Sequence, residues 1–373
     1  MDKVLLFTID FPPSKGGVAK YYEDICLNLP SEKITVLANR ITDEEKFDAS
    51  QKYKIYRNNL ILKFPIWPKW IFSFFYLRKI IKTENIKIIL VGQILPLGTV
   101  ALIHKKIFKT PYAVFIHGMD LGMAQNSTRK SKLAKKILKN ANFIITNSEY
   151  TKELVIGQGM SEQKIQVVYP CAETRIHANW NTNRHEFKSV SKNHCLLTVG
   201  RLVKRKGHDM VIKALPKVIK KIPNVSYIIG GDGENRAYLE NLVKECNMQN
   251  YVKFLGRVDD EEKDKLYKNC NIFIMPSRNI DGDVEGFGIV YIEAASYGKP
   301  VIAGKSGGIS EAVLDGETGI LVNPESIDEI ADAIIKLLSD SDLANKFGVR
   351  GRERALRDFN WNTQIEKIEK LLK

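Results

Sequence analysis

The chain has no CxxC pair and no metal-ligand spacing among its five cysteines, Cys26, Cys171, Cys195, Cys246 and Cys270. Scattered thiols of this kind read as reduced side chains packed in a cytosolic protein, not as a zinc site or a disulfide framework. No apolar run reaches the roughly 18 to 20 residues that a membrane-spanning helix needs. The opening apolar run, Val4 to Ile9, is too short for a signal peptide and lacks a cleavage site, so it is expected to form a first buried strand. RRM, zinc-finger and helix-turn-helix signatures are missing, which removes nucleic acid as an expected partner. Internal repeats and low-complexity segments are missing as well.

What is present is 373 residues, enough for two domains, with 44% apolar and 27% charged residues, ordinary for a globular protein. The formal net charge of +14 asks for an anionic lipid or an anionic small molecule. Part of it falls on solvated helix faces, as with Lys132, Lys135, Lys136 and Lys139 at helical spacing.

Short β-branched runs alternate with amphipathic stretches. In the first half, strands are expected at 4–9, 34–38, 86–91, 112–116, 143–146 and 165–169, and helices at 18–29, 71–83, 97–107, 129–139 and 149–157. A second series has strands at 195–199, 225–230, 251–254, 271–275, 300–303 and 320–322. Its helices are expected near 207–221, 235–246, 260–268, 288–297, 309–315 and 326–339. This alternation predicts an α/β protein with a parallel sheet in each half. The expected division is a domain at 1–175, a polar linker at 176–193, a second domain at 194–355, and a final helical segment, 356–373, packing back on the first domain.

Residues 60–79 interleave aromatic side chains with Lys and Arg: Phe64, Trp67, Trp70, Phe72, Phe74, Phe75 and Tyr76 among Lys63, Lys69, Arg78 and Lys79. Rings at headgroup depth beside cationic groups suit an anionic membrane surface. A helix core face with a covered loop is the competing reading, and Pro65 and Pro68 exclude one continuous helix.

Four glycine-bearing segments carry the chemistry. Glu285-Gly286-Phe287-Gly288-Ile289 leads into a helix that bears Glu293. The glycines allow close approach of a ligand, the helix start presents free N–H groups that favour anions, and both carboxylates can accept from sugar or ribose hydroxyls. Gly200-Arg201-Leu202-Val203-Lys204-Arg205-Lys206-Gly207 follows the second half's first strand. Ligands bind there in open parallel sheets, and Arg201 with Lys206 suits a diphosphate, Lys204 and Arg205 adding only field. The segment lacks the Gly-Lys-Ser/Thr ending of a P-loop. Gly16-Gly17 lies between strand 4–9 and its helix, and His117-Gly118 ends strand 112–116. Asp281-Gly282-Asp283 has the letters of a metal-binding Asp-x-Asp, but it reads as a flexible loop.

Together these segments, with Gly230-Gly231-Asp232-Gly233 and Ser306-Gly307-Gly308 beside Glu311, resemble the retaining glycosyltransferases of family 4. The resemblance covers nearly the whole chain and is weaker over 40–80. Val284 to Ala294 is especially similar to the mannosyltransferases acting on phosphatidylinositol mannosides. It implies the GT-B fold, two Rossmann-like domains facing across a cleft. It also implies Arg201 and Lys206 on the donor diphosphate, with the Gly17 N–H (beside Gly16) on the same phosphates. Glu285 and the amides of Phe287 and Gly288, in the run Gly286 to Ile289, would hold the transferred hexose. His117 would lie near the anomeric centre, Glu293 on the ribose, and Arg257 and Val258 beside the base. Neither a cofactor nor a metal is expected, and no protein nucleophile is named. The expected reaction is retaining hexosyl transfer from a UDP- or GDP-sugar to a lipid-linked glycan in bacterial envelope polysaccharide or lipopolysaccharide assembly, at the inner face of the cytoplasmic membrane. A soluble-acceptor transferase, a sugar-nucleotide epimerase and a non-catalytic binder are the alternatives.

Overall fold

The computed structural model describes residues 1–62, 67–125, 127–172 and 194–372. The expected linker, 176–193, lies outside the described residues, as do Lys63 to Ile66. The chain divides into two compact units, Met1–Pro170 with Trp361–Lys373, and Cys171–Asn360.

The first unit runs β1 (Val4–Thr8), α1 (Gly17–Asn28), β2 (Ile34–Asn39), α2 (Glu44–Ala49), β3 (Lys54–Asn58), α3 (Ile71–Glu84), β4 (Ile88–Val91), α4 (Leu97–Phe108), β5 (Tyr112–Ile116), α5 (Met119–Gln125), α6 (Thr128–Asn140), β6 (Phe143–Thr146), α7 (Glu149–Ile156) and β7 (Ile165–Val167). Its strands are all parallel, in the order β3-β2-β1-β4-β5-β6-β7. Every residue of β1 and β5 is buried, because helices cover both faces of a parallel sheet and leave no solvated side to alternate with. Leu5, Phe7, Val91, Val114 and Ile116 join Leu77 and Ile80 of α3 and Val100 of α4 in one core. Among the elements the sequence pattern misses is β3. It is an edge strand whose residues are exposed or half-buried, so no apolar run marks it.

The second unit continues with β8 (His194–Val199), α8 (His208–Ile219), β9 (Val225–Gly230), α9 (Arg236–Glu245), β10 (Val252–Gly256), α10 (Asp260–Asn269), β11 (Ile272–Met275), α11 (Ile289–Ser296), β12 (Val301–Gly304), α12 (Ile309–Ala312), β13 (Gly319–Val322), α13 (Ile327–Ser339) and α14 (Ser341–Asp358). The parallel order is β10-β9-β8-β11-β12-β13. Helix starts follow local chemistry: Asp259 and Glu262 close a reciprocal capping box on α10, and the Ser326 hydroxyl caps α13.

The last helix, α15 (Trp361–Leu371), belongs to the first unit. Trp361 packs on Tyr21 of α1 with ring centroids 5.8 Å apart, and Gln364 Oε1 accepts from the Tyr169 N–H at 3.0 Å.

Both sheets reverse their strand order beside the first strand of the unit, between β1 and β4 and between β8 and β11. In such a sheet the loops at the carboxyl ends of these strands diverge, and the crevice they leave is where ligands bind. All four glycine-bearing segments follow strands that border these two points or lie one strand away.

Candidate active site

In the second unit the loop after β8 and the loop after β11 meet through charge. Glu285 Oε2 accepts from Arg205 Nη1 at 2.7 Å and from Lys206 Nζ. Arg205 Nε also pairs with Asp283 at 3.0 Å. Arg205 and Lys206 are both buried, so each cation needs a fixed anion. Burial alone would raise the Glu285 carboxyl, but Lys206 and Arg205 outweigh it and hold the group at about 2. Burial lowers the Lys206 ammonium, Glu285 opposes that, and Arg205 adds to it. With Oε2 committed to two cations, Oε1 of Glu285 has no partner among the described residues and can accept a further hydrogen bond.

Arg205, expected to contribute field alone, is therefore the correction in this segment. The short helical turn at Lys204–Lys206 buries Arg205 and Lys206 side by side. Three consecutive basic residues gave no signal for which would turn inward. Arg201 is exposed, and its guanidinium has no ion pair among the described residues. Its carbonyl lies 3.2 Å from His208 Nε2.

Glu285 leads directly into the start of α11. Gly288 precedes that helix at φ 88°, and a Cβ there would collide with the Tyr291 ring, so only glycine fits. The Phe287 side chain is buried against Phe359, ring centroids 5.3 Å apart, while Gly286 and Gly288 are buried too. Ile289 opens α11, and Glu293 lies one turn further along it. Glu293 accepts from Tyr267 Oη at 2.8 Å and from Lys263 Nζ at 3.3 Å. Those two partners, four apart on α10, were not singled out in the sequence. The Gly307-Gly308 turn docks on the same loop, the Gly308 N–H donating to the Glu285 carbonyl at 3.0 Å.

Arg257 is largely exposed and pairs loosely with Asp232 at 3.9 Å, joining the loops after β9 and β10. Val258 packs beside Gly230, with both its methyl groups 3.4 Å from where a Cβ would stand. Asp283, the second carboxylate of Asp281-Gly282-Asp283, is committed to Arg205.

In the first unit, Gly16 and the exposed Gly17 open α1. His117 ends β5 and is ringed by Tyr21, Tyr22 and Phe115, with centroids 5.5, 5.5 and 6.5 Å away. Its Nε2 lies 2.7 Å from Tyr22 Oη, and its backbone N–H donates to Asp120 Oδ1 at 3.1 Å. Burial pushes the imidazole down to about 4, so it is neutral near pH 7. The same burial pushes Asp120 up to about 6, against four backbone N–H bonds that pull it down.

The aromatic segment divides its residues between the two readings of it. Leu77, Ile80 and Ile81 of α3 are core, with Trp70, Phe74 and Tyr76 packed on them. Trp67, 86% exposed, turns to solvent together with Phe72 and Phe75. Ile107 and Phe108 of α4 add to the exposed apolar surface, and the Arg78 guanidinium stacks 3.7 Å over Phe108.

A parallel-sheet unit with a buried carboxylate–cation cluster at a helix start, in a chain whose other unit has a matching strand order, suits an anionic, hydroxyl-bearing ligand. Two family models match the chain, Glycosyltransferase Family 4 over residues 15–175 and Glycosyl transferases group 1 over 181–354. The chain belongs to these family 4, group 1 glycosyltransferases, enzymes that use a nucleotide sugar. It is 29% identical to the GDP-mannose-dependent alpha-(1-6)-phosphatidylinositol monomannoside mannosyltransferase of Mycolicibacterium smegmatis, over 99% of this chain and 98% of that one. Among solved structures, HepE of Anabaena in complex with UDP-glucose superposes with a TM-score of 0.81 at 22% identity, covering 99% of each chain. Sucrose-phosphate synthase of Thermosynechococcus elongatus gives 0.82 at 24% identity, covering 100% of this chain and 98% of that one. These likenesses show the GT-B fold.

Proposed function

We propose that the chain transfers a hexosyl unit, with retention, from a UDP- or GDP-sugar to a lipid-linked glycan of the bacterial envelope, at the inner face of the cytoplasmic membrane. The observation that carries the reading is Glu285: one oxygen held by two buried cations, the other open, at the start of α11. Arg201, Lys206 and the first N–H groups of α11 supply fixed positive charge for a departing diphosphate. Such preorganised charge is the largest single catalytic device for a leaving group of this kind. With retention, a diphosphate oxygen takes the acceptor's proton on the face it leaves, so no side chain needs to act as nucleophile or base. That chemistry requires no metal.

The mannosyltransferase relatives make GDP-mannose the first donor to try. The exposed Trp67, Phe72, Phe75 and Phe108 beside Arg78 support a lipid-borne acceptor, since rings and a guanidinium suit a headgroup layer. A thermal-shift screen against UDP, GDP and their sugar conjugates, with EDTA and then with Mg²⁺, tests the donor side. A midpoint raised by one nucleotide family in EDTA supports the reading; no shift with any of them overturns it. NMR of the product tests the stereochemistry, and an inverted anomer excludes the retaining mechanism.

A further inference from the structure

The contact between α1 and the end of β5 contains more hydrogen-bonding geometry than simple packing requires. Tyr22 Oη touches two groups at once: the Gly92 carbonyl at the end of β4, and His117 Nε2 at 2.7 Å. A phenol has one proton to give. The Gly92 carbonyl can only accept, so that proton goes there. The contact with His117 is then a hydrogen bond only if the imidazole donates, which requires the proton on Nε2. The opposite tautomer would leave two lone pairs facing each other at hydrogen-bond distance inside a buried site.

The framework that holds this arrangement is stiff. The Gly92 N–H donates to the Phe7 carbonyl at 2.8 Å, and a Cβ on Gly92 would stand 2.6 Å from Thr8 Oγ1 and 3.1 Å from the Tyr22 ring. The carbonyl is thereby pinned between β1 and α1, and Tyr22 itself is fully buried. Gln93, the next residue, ties the loops together, accepting from the Ile9 N–H at 3.0 Å and donating to Thr8 Oγ1 at 2.9 Å and Asp10 Oδ2 at 3.0 Å. Burial keeps the Tyr22 phenol protonated and His117 uncharged near neutral pH, so neither partner escapes by changing charge.

We propose that Tyr22 is a positioning residue that fixes His117 as its Nε2–H tautomer, which leaves Nδ1 as the imidazole's hydrogen-bond acceptor for substrate. Nδ1 has no hydrogen-bond partner among the described residues. A bare Nδ1 accepts a hydrogen bond from a substrate hydroxyl, and it can neither protonate a leaving group nor oppose an oxocarbenium centre with positive charge. The proposal deepens the hexosyl-transfer reading and rests on it for the identity of the group that donates to Nδ1. The tautomer itself is independent of that reading.

The test is long-range ¹H–¹⁵N correlation NMR of the histidine side chains in the full-length chain at pH 7, with the His117 signals assigned by their loss in His117→Gln. The expected wild-type spectrum has one His117 tautomer, Nε2 protonated and Nδ1 bare. In Tyr22→Phe, which keeps the ring and removes only the oxygen, the two tautomers should mix. Turnover with saturating nucleotide sugar should fall roughly ten- to a hundredfold, the scale seen when a metal-bound imidazole loses the group that orients it. A wild-type Nδ1–H signal overturns the proposal, and so does a Tyr22→Phe protein with unchanged tautomer and unchanged turnover. If Tyr22→Phe does not fold, the wild-type spectrum alone decides. A chain that shows the Nε2–H tautomer but binds no nucleotide sugar fails the functional reading and not the lock. An active transferase with the other tautomer fails the lock and not the reading.

Discussion

Arg205 and Lys206 share one carboxylate oxygen, so removing either leaves Glu285 with a single cation. On the proposed reading, Arg201→Ala and Lys206→Ala each remove positive charge from beside the leaving diphosphate, so turnover should fall by roughly 10²–10³. Steady-state kinetics with saturating donor checks this, and near-normal turnover in both variants removes the diphosphate assignment. Arg205→Ala leaves the part-exposed Asp283 without its cation and Glu285 with Lys206 alone, and Lys206→Ala leaves Glu285 with Arg205 alone. The loss of one partner from a buried ion cluster typically costs about 3–5 kcal/mol, so both variants should show a lower Tm as well as lower turnover, whereas Arg201→Ala, at an exposed side chain, should keep its Tm. The Glu285 carboxyl should also rise from its present value of about 2. Gly288→Ala drives a methyl group into the Tyr291 ring at a positive φ, which predicts loss of donor binding before loss of the whole fold.

At the scale of elements, α3 serves two purposes on two faces. Its inner face closes the core through Leu77, Ile80 and Ile81, and its outer face presents Phe72 and Phe75. Replacing Trp67, Phe72 and Phe75 together by Ser should release the protein from vesicles containing anionic lipid while leaving the nucleotide-induced thermal shift unchanged. Co-sedimentation with such vesicles measures it, and unaltered binding assigns these rings another task. Replacing Trp70 and Phe74 instead opens cavities on the core side and should lower Tm in the absence of any membrane, by the few kcal/mol that large-to-small core changes cost. The helix α15 is another case of local pattern and distant partner. Its amphipathic spacing is plain in the sequence, but its neighbours Tyr21 and Tyr169 lie more than 190 residues earlier.

Over the whole molecule, acid should weaken the fold in two stages. Burial lowers His104, His117 and His208 to about 4 each. An unfolded chain takes up those protons near pH 6.5 and the folded chain does not, so stability present above about 6.5 is lost as the pH falls towards 4. Asp120, raised to about 6, acts in the opposite sense between its ordinary value of 3.8 and 6, one group against three. Below 4.5 the depressed Glu285 adds to the loss, its contribution disappearing as the pH falls through about 2. Tm measured from pH 8 to pH 3 should therefore fall steadily, and a Tm independent of pH between 6.5 and 4 contradicts the neutral burial of these histidines. The alternation of apolar strands and amphipathic helices was enough to determine two parallel-sheet units, because core strands such as β1 and β5 are mainly apolar and long helices such as α8 and α13 carry one apolar face. The glycine-bearing loops were legible for the same reason: their place at strand ends follows from the order of elements. Tertiary structure alone decided which of Lys204, Arg205 and Lys206 turn inward, that Tyr22 rather than any neighbour meets His117, and that Lys263 and Tyr267 reach Glu293. Those pairings join residues 26 to 95 positions apart, and no local periodicity encodes a distance that is set only when separate strands pack side by side.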